Sequence, residues 1–225
     1  MTGQELRDAR KARSWTQAEL AVRLSMSQGY VCLLERGQRS VPRRLTQKLA
    51  NLLNLSPSRR PLSATKAPLE AEAATRALGT LGYPGFAHHR QRQTLNPAEV
   101  LLRVLRAPEL DARIVEALAW VALTFSDLDW EWLTREAKVN DLQNRLGFLV
   151  TLARQLAERT GNAEAAGRLV VPEQSLGHSR LLREEAFRPS MTEAERRWLR
   201  QHRPPEASHW NVLTNLSAAD LTHGV

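Results

Sequence analysis

The stretch TQAELAVRLSMSQGYVCLLERG, Thr16 to Gly37, decides the reading of this chain. Thr16 followed three residues later by Glu19 is a capping box, in which each side chain satisfies an orphan backbone N–H at the start of a helix. Leu20, Ala21 and Leu24 then fall on one face at helical spacing. Ser25-Met26-Ser27 breaks that pattern, and Ser27 is placed to cap a second helix running to about Arg36. Gly37 can end it with a positive φ. Val31 and Leu34 face inward with Leu20, Leu24 and Met26, and Ala21 is small where the two helices approach closely. The spacing predicts two short helices joined by a tight turn.

Taken together, Thr16-Gln17-Ala18-Glu19-Leu20-Ala21, then Ser27-Gln28, then Leu34-Glu35-Arg36-Gly37 resemble the phage-repressor helix-turn-helix family of Cro type, also called XRE. The resemblance covers residues 3–58. It implies a DNA-binding bundle of four or five helices, with Leu6 in the first and Leu45, Leu49, Leu52 and Leu53 on a later one. It also implies that Arg10 of the first helix pairs with Glu35 at the end of the recognition helix. The alternative is two unrelated surface charges.

The resemblance places Ser27, Gln28 and Gly29 where family members reach base edges. Gln28 has the amide geometry to pair with adenine N6 and N7. Cys32 and Leu33 also face outward in this register, Leu33 towards a thymine methyl group. Gln17, opening the first motif helix, is set to meet a phosphate with its amide and nearby backbone N–H groups. Arg36, Arg39, Arg43 and Arg44 would clamp backbone phosphates. Two departures from the family pattern stand out. Ser25 replaces the usual turn glycine, a strained choice if its φ is positive. Gly29, Cys32 and Leu33 replace commoner polar types, which shifts readout towards dimer spacing and DNA shape.

The charge balance points the same way. Residues 1–66 hold 13 of the 32 Lys and Arg but only 4 of the 24 Asp and Glu, a balance of +9 against +8 for the whole chain. The remainder is therefore at −1, and polyanion binding accounts for the asymmetry. A membrane-surface reading would need a basic amphipathic helix with exposed aromatics, and this region has only Trp15 and Tyr30. No apolar run approaches the ~20 residues of a membrane span, and MTGQELRDARKARSW lacks the apolar core of a signal peptide. A cytoplasmic location is expected. Cys32 is the single cysteine, which excludes an internal disulfide and a Cys-rich metal site; a small outward-facing residue is a simpler reading of it than a redox sensor.

The 225 residues suit one large or two modest domains, and an apolar fraction of 42% supports a real core. The whole is expected to be all-α: a DNA-binding domain at 1–58, a linker at 59–66 (from the Ser56–Ser63 run of Pro and Ser), a larger helical domain at 67–203, and a turn-rich tail at 204–225. Helical pattern runs over 66–78, and Asn96-Pro97 opens another helix. Pro108 interrupts, and apolar spacing resumes from Leu110 to Val121. Ser126–Asp129 caps the next element, Asn140 with Gln143 reads as a capping box for a strong amphipathic helix closed by Gly161, and Ser190 with Glu193 opens a late one. Arg168–Pro172 is too short to distinguish from a strand. Five of six tryptophans lie after the linker, as core or as partner contact, and Trp210, Val212, Leu213 and Leu216 are able to dock the tail.

No catalytic constellation emerges: HExxH, GxSxG, a Walker-type loop and GxGxxG are absent. The adjacent His88 and His89 diverge on any regular element, and Asp127, Asp129 and Glu131 suit helix capping better than a metal. No cofactor or metal is expected. Lys138, Asn140, Asp141, Asn144 and Arg145 cluster at a helix junction, either fixing it by hydrogen bonds or lining a ligand pocket. The expectation is a repressor binding double-stranded DNA as a homodimer, with half-sites about one helical turn apart. The alternative is an antitoxin-like protein whose second domain masks a toxin, and a third reading is small-molecule sensing by that domain.

Overall fold

The computed structural model describes residues 1–62, 67–89 and 94–221, with the side chains of Arg43 and Gln47 outside the described set. The chain divides into two compact units, 1–62 and 63–225. The described residues are mostly helical, with almost no strand.

The first unit contains α1 (Gly3–Ala12), α2 (Gln17–Leu24), α3 (Gln28–Glu35) and α4 (Arg43–Leu52), followed by a 3-10 turn at Pro57–Arg59. Capping boxes start α1 at Thr2 and α2 at Thr16, and the Ser27 hydroxyl accepts from the Tyr30 N–H to start α3. Leu6, Leu20, Leu24, Val31, Leu34, Leu45, Leu49 and Leu53 share one core. The unit runs past Ser58 to Leu62 because Arg59 Nη1 reaches Glu5 at 2.8 Å and Arg60 Nη1 reaches Asn51 at 3.1 Å.

The second unit is a helical assembly around one long helix. Its elements are α5 (Ala71–Leu81), α6 (Pro97–Leu105), α7 (Ala112–Thr124), α8 (Trp130–Val139), α9 (Gln143–Arg159), α10 (Ala163–Gly177), α11 (Glu193–His202) and α12 (Pro205–His209). Two-residue strands β1 (Glu185–Ala186) and β2 (Val212–Leu213) pair in parallel. Helix α9 touches α7, α8, α10, α12 and β2. Every residue from Leu146 to Ala153 is buried, so α9 is covered on all sides rather than on one amphipathic face.

Several expected boundaries shift for local reasons. Residues 67–70 are not helical: the Leu69 N–H instead donates to the Arg103 carbonyl, and α5 starts at Ala71. Asn140 does not open α9 but closes α8, its amide returning to the Glu136 carbonyl; Asp141 then turns the chain at φ 56° and α9 begins without a side-chain cap. The late helix opens at Thr192, capped reciprocally with Glu195, because Ser190 is engaged by the Glu109 carboxylate. Arg168–Pro172 lies inside α10, where Pro172 can offer no N–H to the Arg168 carbonyl.

Residues 204–221 are a structural part of this unit. Trp210 is fully buried and lies flat against Gly147 of α9; a Cβ added at Gly147 would fall 2.3 Å from its ring. The indole Nε1 donates to Thr151 Oγ1 at 2.8 Å, and Thr151 donates to Glu173 of α10 at 2.6 Å. Gly147→Ala therefore forces the indole out of its seat. We expect a loss of about 2–3 kcal/mol by overpacking, read as a lower Tm with loss of near-ultraviolet circular dichroism from the tryptophan.

Candidate nucleic-acid interface

The geometry of α3 is set at both ends. At its start, Ser25 turns the chain in the left-handed region, φ 58° and ψ 47°, and Ser27 caps the helix. A non-glycine residue in that region costs roughly 1 kcal/mol, which the packing of Met26, Leu20 and Leu24 around the turn must hold. At its end, Gly37 takes φ 70°, and the N–H groups of Gln38 and Arg39 both return to the Leu33 carbonyl.

Arg10 and Glu35 are paired, and the pair is buried. Arg10 Nε and Nη2 meet the two carboxylate oxygens at 2.6 and 2.9 Å, and Nη1 donates to the Trp15 carbonyl at 2.6 Å. Gln17 Nε2 donates to the same carboxylate at 2.9 Å. The carboxylate thus joins α1, the start of α2 and the end of α3, and Arg10 ties in the α1–α2 connection through Trp15. Burial alone would push the Glu35 carboxyl up, but hydrogen bonds from Arg10 and Gln17 and the charges of Arg10 and Arg7 outweigh it, and its pKa lies below the ordinary value. The hydrogen bonds that Arg10 donates to Glu35 in turn hold the Arg10 pKa up against burial. Gly3 seats α1 on the same helix end: a Cβ there would lie 2.2 Å from the Leu34 carbonyl oxygen.

With Val31, Leu34 and Glu35 turned inward, the opposite side of α3 faces out of the bundle. Ser27, Gln28, Gly29 and Arg36 are exposed, while Cys32 and Leu33 are half-buried. A side chain at Gly29 would meet nothing within 4 Å, so this face is open within the unit. Arg39 is exposed with its guanidinium 5.8 Å from the Tyr30 ring, and Arg44 is exposed at the start of α4. The Arg43 side chain, expected on phosphate, lies outside the described residues. Gln17 is half-buried and commits an amide hydrogen to Glu35, so its expected phosphate contact reduces to its other amide hydrogen and its backbone N–H. Gln17 as a member of the Glu35 cluster was missed in the sequence, although its start-of-helix position beside the Glu35 partner was the available signal.

The polar residues at 138–145 do not converge on a cavity. Asn144 is fully buried and locks onto the Leu181 backbone, donating to its carbonyl at 3.0 Å and accepting from its N–H at 2.8 Å. Arg145 lies 3.7 Å from Glu185 and donates to the Leu105 carbonyl. Lys138 turns to Ser175, 3.4 Å away, Asn140 closes α8, and exposed Asp141 lies 3.5 Å from Arg183. These side chains hold segments together. Among the described residues, no group of three His, Cys, Asp or Glu could hold a metal ion, and no helix is long and apolar enough to cross a membrane.

Residues 3–62 match the family described as "Helix-turn-helix domain", and the match spans nearly the whole first unit. No curated protein and no solved structure matches the chain.

Glu35→Gln would leave the Arg10 guanidinium buried beside a neutral amide, at a cost of about 3 kcal/mol. Because the folded carboxyl titrates below its unfolded value of 4.5, its contribution is complete above that value and lost as pH falls through the folded one. Urea melts of the full chain at neutral and acidic pH should show the gap between wild type and Glu35→Gln closing on acidification.

Proposed function

We propose that this chain, whose first unit is a DNA-binding helix-turn-helix domain, is a transcriptional repressor that binds a palindromic operator as a homodimer. The observation that carries the proposal is the open outer face of α3. Ser27, Gln28 and Gly29 are exposed on it and Leu33 is half-buried, with Arg36, Arg39 and Arg44 also exposed. A helix end placed in the major groove reads bases with its first residues, while flanking cations fix register on the phosphates. Gln28 is the one side chain on this face able to pair bidentately with adenine, and Leu33 offers an apolar contact to a thymine methyl group. With so few polar readers, half-site spacing and DNA deformability supply the remaining selectivity. The proposed activity is binding in the cytoplasm, with no catalytic step.

Dimerisation is proposed through the second unit. Val139 of α8 and Val171 of α10 are 74% and 69% exposed and lie together with Trp130 and Pro172 on one apolar face. Covering such a face is a plain reason for two copies to associate. The same face supports the second reading, an antitoxin-type protein that covers it with a cognate toxin and regulates its own operon. Native mass spectrometry of material co-expressed with its neighbouring reading frame separates the two: a symmetric dimer supports the repressor, a stable heterocomplex the antitoxin.

The DNA reading is tested by selection from random duplexes followed by binding titrations at several salt concentrations. Arg44→Ala should weaken binding to all sequences alike and lower the salt slope by about 1. Gln28→Ala should change sequence preference, at a cost of about 1–3 kcal/mol at the preferred site. Unchanged affinity and preference in Gln28→Ala would overturn the placement of α3.

A further inference from the structure

The second unit contains a cavity that the DNA reading leaves unused. It has a volume of about 610 Å³, within the range of small-molecule sites. Its floor is apolar and buried: Val115 of α7, Phe187, Leu199 of α11, Leu213 of β2 and Leu216. Trp198, half-exposed and stacked on His202 with ring centroids 4.4 Å apart, supplies an aromatic wall. Among the described residues, the charged lining groups are Asp111, Glu116, Glu195 and Asp220, set against one cation, Arg188. All five are more exposed than the floor, so the charge lies at the mouth.

The sign of this mouth is unusual for the protein. The chain carries +8 overall, whereas the charged groups lining the cavity sum to −3. Three of the carboxylates also cap turns: Asp111 accepts from the Ile114 N–H, Glu195 from Thr192, and Asp220 from Ser217. Those hydrogen bonds hold the Glu195 and Asp220 carboxyls below their ordinary pKa, so both stay anionic at neutral pH. Local structure therefore keeps negative charge beside an apolar hollow. Glu116 has no capping role on α7 and presents a carboxylate next to Val115.

An apolar floor repels small inorganic ions and favours a hydrophobic body. An acidic mouth and an exposed indole favour a positive charge. We propose that this cavity is a binding site for small organic cations with an aromatic or bulky apolar body. The site differs from the polar residues at 138–145, none of which line it. Its occupancy is measurable without DNA, so it stands or falls separately from the repressor reading.

The experiment is isothermal titration calorimetry of the full chain with tetraphenylphosphonium and with tetraphenylborate, ions of matched shape and opposite charge. The phosphonium should bind saturably at one per chain, and the borate about tenfold more weakly or worse. Glu116→Gln should weaken phosphonium binding roughly three- to fivefold by removing one nearby charge. Trp198→Ala should weaken it about five- to tenfold by removing the aromatic wall. Both positions are partly exposed, and wild-type melting temperatures check that the variants stay folded. Equal binding of the borate, phosphonium affinity unchanged in both variants, or no phosphonium binding up to about 1 mM would each overturn the proposal.

Discussion

The orientation of α3 depends on the carboxylate of Glu35. It sits at the end of α3, its side chain only 2% exposed, and collects hydrogen bonds from Arg10 of α1 and Gln17 of α2. A buried ion pair of this kind adds little net stability over well-packed apolar residues, because desolvation offsets the attraction. Its value is directional. A bidentate guanidinium–carboxylate contact tolerates little rotation, so α3 cannot roll about its axis without breaking both bonds. Gly3 contributes the steric half of the same constraint by allowing the start of α1 to rest on the Leu34 and Glu35 carbonyls. The outward register of Gln28, Gly29 and Leu33 follows from these contacts made on the opposite side.

A different principle organises the second unit. Helix α9 is buried around its whole circumference, and the residues that cover it come from segments far apart in sequence. The last of these covers is the 205–216 segment, held by Trp210 against Gly147 and by the Trp210–Thr151–Glu173 hydrogen bonds. Arg154 adds ion pairs to Glu158 and Glu173 on the same side. The effect is to make the 205–216 segment part of the core, so the short β1–β2 pairing and the cavity beside α7 and α11 exist only once that segment is seated.

Charge is segregated by use. The first unit carries the excess of Lys and Arg, and on its outer face those residues surround an open helix. The second unit is close to neutral, yet it concentrates carboxylates at one hollow through turn and helix caps. A carboxylate chosen to satisfy backbone N–H groups thereby also sets a local field. The same residue type does the opposite at Glu35, where it is neutralised by Arg10.

Much of the first unit was legible in the sequence, because its signals are local. The Thr16–Glu19 box, the Ser27 cap, the Gly37 stop and the apolar spacing from Leu20 to Leu34 each depend on residues within a turn or two of one another, and the structure has them in place. The Arg10–Glu35 pairing came only from the resemblance, since 25 residues separate its partners. In the second unit the helices between Pro97 and Gly161 and the late one before Arg203 were legible from periodicity, but several of their ends were not, and α10 was not anticipated because its Arg168–Pro172 stretch carries no clear period. Ser190 and Leu69 satisfy polar groups through distant partners, Glu109 and the Arg103 carbonyl, while Asn140 has two local choices and turns back to Glu136 to close α8 instead of opening α9. What the sequence determined was therefore the helical class, the caps of the first unit and the sign of each region's charge, all properties of neighbouring residues. Tertiary structure alone decided that Gln17 joins Glu35, that Trp210 needs Gly147, and that four carboxylates meet around one apolar hollow, because only folding brings such distant residues within contact range.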